Sequence, residues 1–187
     1  MLATQEGQRG RPTLEAKRNA EMNPIKSMKN FWKNQFSLLR GRFEVLDKEK
    51  PMVVLDNASN VDALTNVFLG ARLLHYQRVL KGFVLIMGAS KALDVDDLLK
   101  AIRYLLKKVP GEVIFIPLER VSYESYKPEE LAALAAELNI RVRAAQSFEE
   151  AFALAKELVD PREGLIAVTG SPAVVSEYWQ LREVKKL

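Results

Sequence analysis

The sequence predicts an α/β fold, Rossmann-like, with a mostly parallel sheet, helices on both faces and a basic N-terminal arm in front. Three observations carry this expectation. The runs Val84–Ile86, Val113–Ile116 and Leu165–Val168 are continuously apolar, as strands covered on both faces are. Segments of helical periodicity separate them, which is what parallel strands joined by right-handed crossovers require. The stretches Val53–Asn60, Phe83–Ser90 and Leu165–Pro172 each pass from an apolar strand through Asp, Ser or Gly into a helix, the turn that builds a ligand crest at the carboxyl ends of such strands.

Taken in order, residues 1 to about 22 are polar and carry Gly7, Gly10 and Pro12, a composition that cannot bury enough apolar surface to fold alone. Residues 24–39 space Ile25, Met28, Phe31, Trp32, Phe36 and Leu39 along one helical face, suited to packing on a domain or a partner. Arg42–Leu46 alternates as a strand, and Met52–Leu55 is a second after the Lys48–Pro51 turn. A helix from Val61 repeats Leu64, Val67, Phe68, Ala71 and Leu74, with His75 beside that stripe as a boundary packing residue. Asp94 is the N-cap of a helix bearing Val95, Leu98, Leu99, Ile102, Leu105 and Leu106. Asp94, Asp96 and Asp97 read as an acidic first turn complementing the helix dipole rather than a metal site.

Glu112–Pro117 is the next strand, and Pro128 opens a helix with Leu131, Leu134, Ala135 and Leu138 inward. Arg141–Arg143 is a short edge strand, and Ser147 with Glu150 forms a capping box for a helix to about Val159. Gly164–Thr169 is the last strand, and Pro172 begins the last helix. The expected organisation is an extension over 1–40 and an α/β domain over 41–187.

Composition bounds the function. At 187 residues with 48% hydrophobic and 28% charged, the chain can bury a proper core. No apolar run approaches the ~20 residues of a membrane span, and Met1–Gly7 lacks the apolar stretch of a secretory signal. There is no cysteine, so disulfides and thiolate chemistry are excluded, and a reducing compartment, cytoplasm or organelle interior, is expected. Residues 1–50 hold eleven Lys/Arg against six Asp/Glu, a balance of +5, while 51–187 hold seventeen against eighteen, a balance of −1. The basic character therefore sits in the arm, which points to an acidic protein surface or a phosphate backbone. Arg9-Gly10-Arg11-Pro12 matches the core of an A·T minor-groove arm, which keeps nucleic acid as the alternative to a protein partner.

Gly41-Arg42-Phe43-Glu44-Val45, followed by Leu55-Asp56-Asn57-Ala58-Ser59-Asn60-Val61, then Gly88 with Lys91 and Asp94, then Thr169-Gly170-Ser171, resembles the C-terminal domain of folylpolyglutamate synthase/dihydrofolate synthase, the folate branch of the Mur ligases. The resemblance covers about Gly41 to Arg182. It implies a domain that closes over ATP held elsewhere and helps bind glutamate, so that Asp56, Asn60 and Ser171 carry the family's crest positions. Ser59 stands where the family motif has histidine, Asn57 where it has glycine and Val61 where it has proline. No Gly-x-x-x-x-Gly-Lys-Ser/Thr occurs in these 187 residues, so nothing in them cradles a triphosphate. ATP and Mg are expected only if a P-loop domain is supplied by a partner, and no cofactor is expected on this chain alone.

The residues that could bind glutamate or phosphate are thus Asp56, Ser59, Asn60, Lys91 and Ser171, with no catalytic residue and no metal ligand among them. Each has a structural alternative: Asp56 holding its turn, Ser59, Asn60 or Ser171 capping a helix, Lys91 simply exposed. Partner contact is expected through Arg9, Arg11, Phe31, Trp32 and Phe36. Two functions follow: a non-catalytic descendant of the ligase domain serving as a structural or interaction subunit of a larger assembly, or the glutamate-binding half of a split ATP-dependent ligase. A small-anion or nucleotide sensor ranks third, because no residue specifies its ligand.

Overall fold

The computed structural model describes residues 41–182, and the expected partner residues Arg9, Arg11, Phe31, Trp32 and Phe36 lie outside them. Six strands form one sheet: β1 Glu44–Leu46, β2 Met52–Leu55, β3 Phe83–Met87, β4 Glu112–Phe115, β5 Val142–Ala144 and β6 Leu165–Thr169. Their order is β1-β2-β6-β3-β4-β5. Only β1 runs antiparallel to its neighbour, so the expectation of a mostly parallel sheet holds. The helices are α1 Val61–Gln77, α2 Val95–Leu106, α3 Pro128–Glu137, α4 Phe148–Leu158 and α5 Pro172–Leu181.

Strand alternation sends residues to two separate cores. Val54, Leu85, Met87, Val113, Phe115 and Ala167 pack with the apolar stripes of α1, α2 and α3. Val53, Leu55, Ile86, Ile114, Ile166 and Val168 pack with α4 and α5. Each fully buried aliphatic side chain contributes roughly 1.5–3 kcal/mol, so two cores back to back account for β2, β3 and β6 being buried along their whole length. Helix starts follow local chemistry. Asn60, Asp94, Ser147 and Ser171 each accept a backbone N–H of the first turn, and Pro128 fills the first position of α3. In the α4 capping box, Glu150 reaches back to the Gln146 N–H at 2.7 Å rather than to Ser147 itself. His75 accepts the Leu80 N–H at 3.2 Å, closing the turn after α1.

Two details differ from the sequence reading. The first strand begins at Glu44 and not Arg42, because Phe43 sits at φ 45°, outside the β region. Its ring is carried over α1 at Gly70, where any Cβ would collide with it. The strand at 112 ends at Phe115, and Ile116–Lys127 becomes a long connection over the carboxyl end of the sheet. It is tied down by Tyr126 N–H to Ala89 O at 3.0 Å, Lys91 N–H to Glu124 O at 2.9 Å and a Ser90–Ser125 bridge.

Tyr178 on α5 is enclosed by Phe148, Phe152 and Trp179 in edge-on contacts, with ring centroids 5.2–6.4 Å apart. Its hydroxyl is buried with no hydrogen-bond partner among the described residues, and burial pushes the phenol up to about 12. Tyr178→Phe is therefore expected to leave stability unchanged or raise it by up to about 1 kcal/mol in urea unfolding. Gly70→Ala should lose about 1–3 kcal/mol despite alanine's better helix propensity. Combining it with Phe43→Ala should show a coupling energy that recovers most of the overlap cost.

Candidate functional site

The crest forms because three strand ends are level. Leu55 and Ile86 both stand opposite Val168 in the ladder, and the Asp56 N–H continues the pairing to Val168 O at 3.0 Å. The turns after β2, β3 and β6 therefore open on one cleft of about 660 Å³. Ser59 and Asn60 line it from the first turn, Ser90, Ala92 and Leu93 from the second, and Gly170–Ala173 from the third, with Arg120–Tyr123 closing it from the long connection. The chain leaves β6 for α5 on one face of the sheet but leaves β2 and β3 for α1 and α2 on the other. That divergence opens a crevice where doubly wound sheets take their ligands.

The sequence-predicted residues have distinct fates. Asp56 spends both carboxylate oxygens on backbone, accepting Phe43 N–H at 2.6 Å and Ala58 N–H at 2.7 Å. Burial holds its carboxyl above the usual range, against the pull of those two N–H groups and of Arg42. It does not line the cleft; it fastens β1 and the β2–α1 turn together. Asn60 caps α1, accepting Ala63 N–H at 2.9 Å, and Ser59 stands exposed at the cleft wall. Asn57 lays its carboxamide against the Cα of Gly41, whose carbonyl accepts the Asn57 N–H at 2.7 Å, so the side chain replacing the family's glycine packs locally.

Lys91 is exposed and outside the cleft. Ser171 is buried, and its hydroxyl accepts Ala173 N–H at 3.1 Å while sitting 3.1 Å from the Tyr123 hydroxyl. Gly170 at φ 98° turns the chain into that cap, and a Cβ there would meet the Gly88 carbonyl. Among the described residues no group of three His, Cys, Asp or Glu could hold a metal, and Asp94 and Asp97 are taken by a cap and by an ion pair with Lys100.

Sequence reasoning missed Tyr123 and Arg120. Tyr123 reaches across from the connection to Ser171, and Arg120, at φ 56°, lines the cleft while its guanidinium donates to Gln180 Oε1 at 3.3 Å. The only sequence signal was the length of the segment between Phe115 and Pro128, longer than an ordinary strand–helix link. Behind Arg120 a second hollow of about 380 Å³ carries Glu119, Glu149 and Glu177. Burial and the neighbouring Glu119 raise the Glu177 carboxyl, with Arg120 opposing.

The family model for the Mur ligase glutamate ligase domain matches residues 41–172. The chain belongs to the Mur ligase family. Among solved structures it is similar to Mycobacterium tuberculosis folylpolyglutamate synthase complexed with ADP, at 26% identity and TM-score 0.60, over 75% of this chain and 32% of that one. It is similar to a bifunctional folylpolyglutamate synthase/dihydrofolate synthase with Mn, AMPPNP and L-glutamate bound, at 27% identity and TM-score 0.58, over 78% and 32%. The E. coli FolC in complex with ADP shares the fold at 20% identity and TM-score 0.62, over 79% and 32%. This Mur ligase domain thus spans about a third of the length of those enzymes. No curated protein matches its sequence.

If Asp56 serves the fold, Asp56→Asn should lower stability by about 1–3 kcal/mol, because an amide turns one N–H acceptor into a donor. Ser59→Ala, on the exposed wall, should stay within about 0.5 kcal/mol of the parent. Urea unfolding of the three proteins checks both.

Proposed function

We propose that this Mur ligase domain works without catalysis, as a structural or interaction subunit of a larger assembly. The observation that carries the reading is the commitment of its crest. Both oxygens of Asp56 and the hydroxyl of Ser171 are already bonded within the fold, and Asn60 caps its own helix. A ligand would have to displace internal bonds to reach them, each about 1 kcal/mol net and more to leave unsatisfied. The residues also do not fit ATP and Mg. The 187 residues contain no P-loop, and no described cluster of carboxylates and imidazole could hold the cation. No chemical step is therefore assigned. The basic arm, with Arg9 and Arg11, and the apolar face of Phe31, Trp32 and Phe36 supply the contact to the assembly.

The cleft itself favours a second reading, the glutamate-binding half of a split ATP-dependent folylpolyglutamate synthase. It lies at the carboxyl ends of the strands and retains Ser59, Asn60 and Ser171 on its walls. Two helices, α1 and α5, begin at its edge, and the positive ends of their dipoles favour an anion there.

Two measurements separate these readings. Calorimetric titration of the purified chain with L-glutamate and with Mg-ATP should give no saturable heat at millimolar concentrations. The tagged full chain, sized from its native source, should migrate in a large complex, and Arg9→Ala/Arg11→Ala or Phe31→Ala/Trp32→Ala/Phe36→Ala should release it. A clean monomer, or ATP- and glutamate-dependent ligation after adding a P-loop partner, would overturn the proposal. A gain of ligation on Ser59→His would restore the ligase reading outright.

A further inference from the structure

The outer face of α1 carries apolar side chains that the core does not use. Leu64, Val67, Phe68 and Ala71 face the sheet, but Leu69, Leu73 and Tyr76 are 47%, 46% and 61% exposed. Their spacing, i, i+4 and i+7, puts them in one line along the helix, about 10 Å long at 1.5 Å per residue. Tyr104, 54% exposed, extends this line onto α2, which packs beside α1. Arg72 joins the two helices: its guanidinium lies 5.0 Å above the Tyr104 ring, and the phenols of Tyr76 and Tyr104 support its charge. Tyrosine and a stacked arginine are residues enriched in interface hot spots, and the leucines beside them extend an exposed apolar patch that a solvated helix back does not need.

Asp62, Asp96 and Asp97 lie in the first turns of α1 and α2, but toward the carboxyl ends of both helices the charge has one sign. From Thr65 to Arg78, α1 and its cap contain Arg72 and Arg78 and no acid. From Lys100 to Lys108, α2 and the residues after it contain Lys100, Arg103, Lys107 and Lys108 and no acid. Lys100 is paired with Asp97, whereas the other three and Arg78 have no ion pair among the described residues. Cations near helix ends answer the helix dipole, but that does not account for the exposed leucines and tyrosines beside them. A second copy of the chain would set these cations against their own kind. The segment 24–39, with Lys26, Lys29 and Lys33 and no acid, has the wrong sign as well.

We infer that the α1–α2 outer face is a docking surface for an acidic amphipathic helix of a partner protein. Its apolar positions would lie over Leu69, Leu73 and Tyr104, and its carboxylates against Arg72, Arg78 and Lys108. This surface is separate from the crest and does not depend on the N-terminal arm, so it stands or falls independently of the non-catalytic reading.

The test uses the full chain and two synthetic helical peptides, each with leucines at i, i+3, i+4 and i+7, one flanked by glutamates and the other by lysines. Fluorescence anisotropy should show the acidic peptide binding at least about tenfold tighter than the basic one, with affinity falling as salt rises. Leu69→Ser/Leu73→Ser should abolish binding with an unchanged circular dichroism spectrum and thermal midpoint. Arg78→Glu/Lys108→Glu, which leaves the apolar line intact, should reverse the preference between the peptides. Equal binding of both peptides, no binding of the acidic one at millimolar concentration, or indifference to these substitutions would overturn the inference. So would a dimer in sedimentation that Leu73→Ser dissolves, or binding to phosphatidylserine vesicles that the leucine substitutions remove. The first would assign the face to a second copy, the second to a membrane surface.

Discussion

The insertion of β6 between β2 and β3 is the constraint on which the rest of this structure depends. β6 is the last of the described strands, yet it pairs with both β2 and β3 and places Leu55, Val168 and Ile86 in one row. That row fixes where the three turns emerge. It also splits the connections between the two faces of the sheet, which creates the crevice at the crest. Closing this central pairing brings β6 against residues 82 positions away on β3 and 113 positions away on β2, so the crest can exist only once the whole domain has folded.

Polar groups at the crest are then drawn into keeping that geometry. Asp56 ties the N-terminal hairpin to the first turn through two backbone N–H groups, and Ser171 ties the last turn to the long connection through Tyr123. A half-buried carboxylate is tolerable because both of its oxygens are bonded. The same economy leaves Asp56 and Ser171 little polar capacity for a guest. In a cleft of about 660 Å³ it is the unspent donors and acceptors, not the space alone, that would recognise a ligand.

The two faces of the domain differ in a related way. α4 and α5 bury their aromatic side chains against one another, ending in the enclosed Tyr178. α1 and α2 instead leave leucines, tyrosines and a stacked arginine toward solvent. The α1 stripe of Leu64, Val67, Phe68 and Ala71 is complete without them, so their presence does not serve the core.

The sequence by itself determined the α/β class, the helices and strands with their caps, and the family, because these rest on local signals: apolar runs, 3.6-residue periodicity, and Asn60, Asp94, Ser147 and Ser171 at helix starts. It also placed Ser59, Asn60 and Ser171 at the crest, which the motif spacing carries. Whether Asp56 faces a ligand or the backbone was not readable, since its partner Phe43 lies thirteen positions away on a turn of unusual φ. Tyr123 and the exposed line on α1 were equally hidden. A tyrosine in a loop acquires meaning only when the chain folds it over Ser171. A leucine on a helix reads as core until the packing shows which side of that helix the sheet covers.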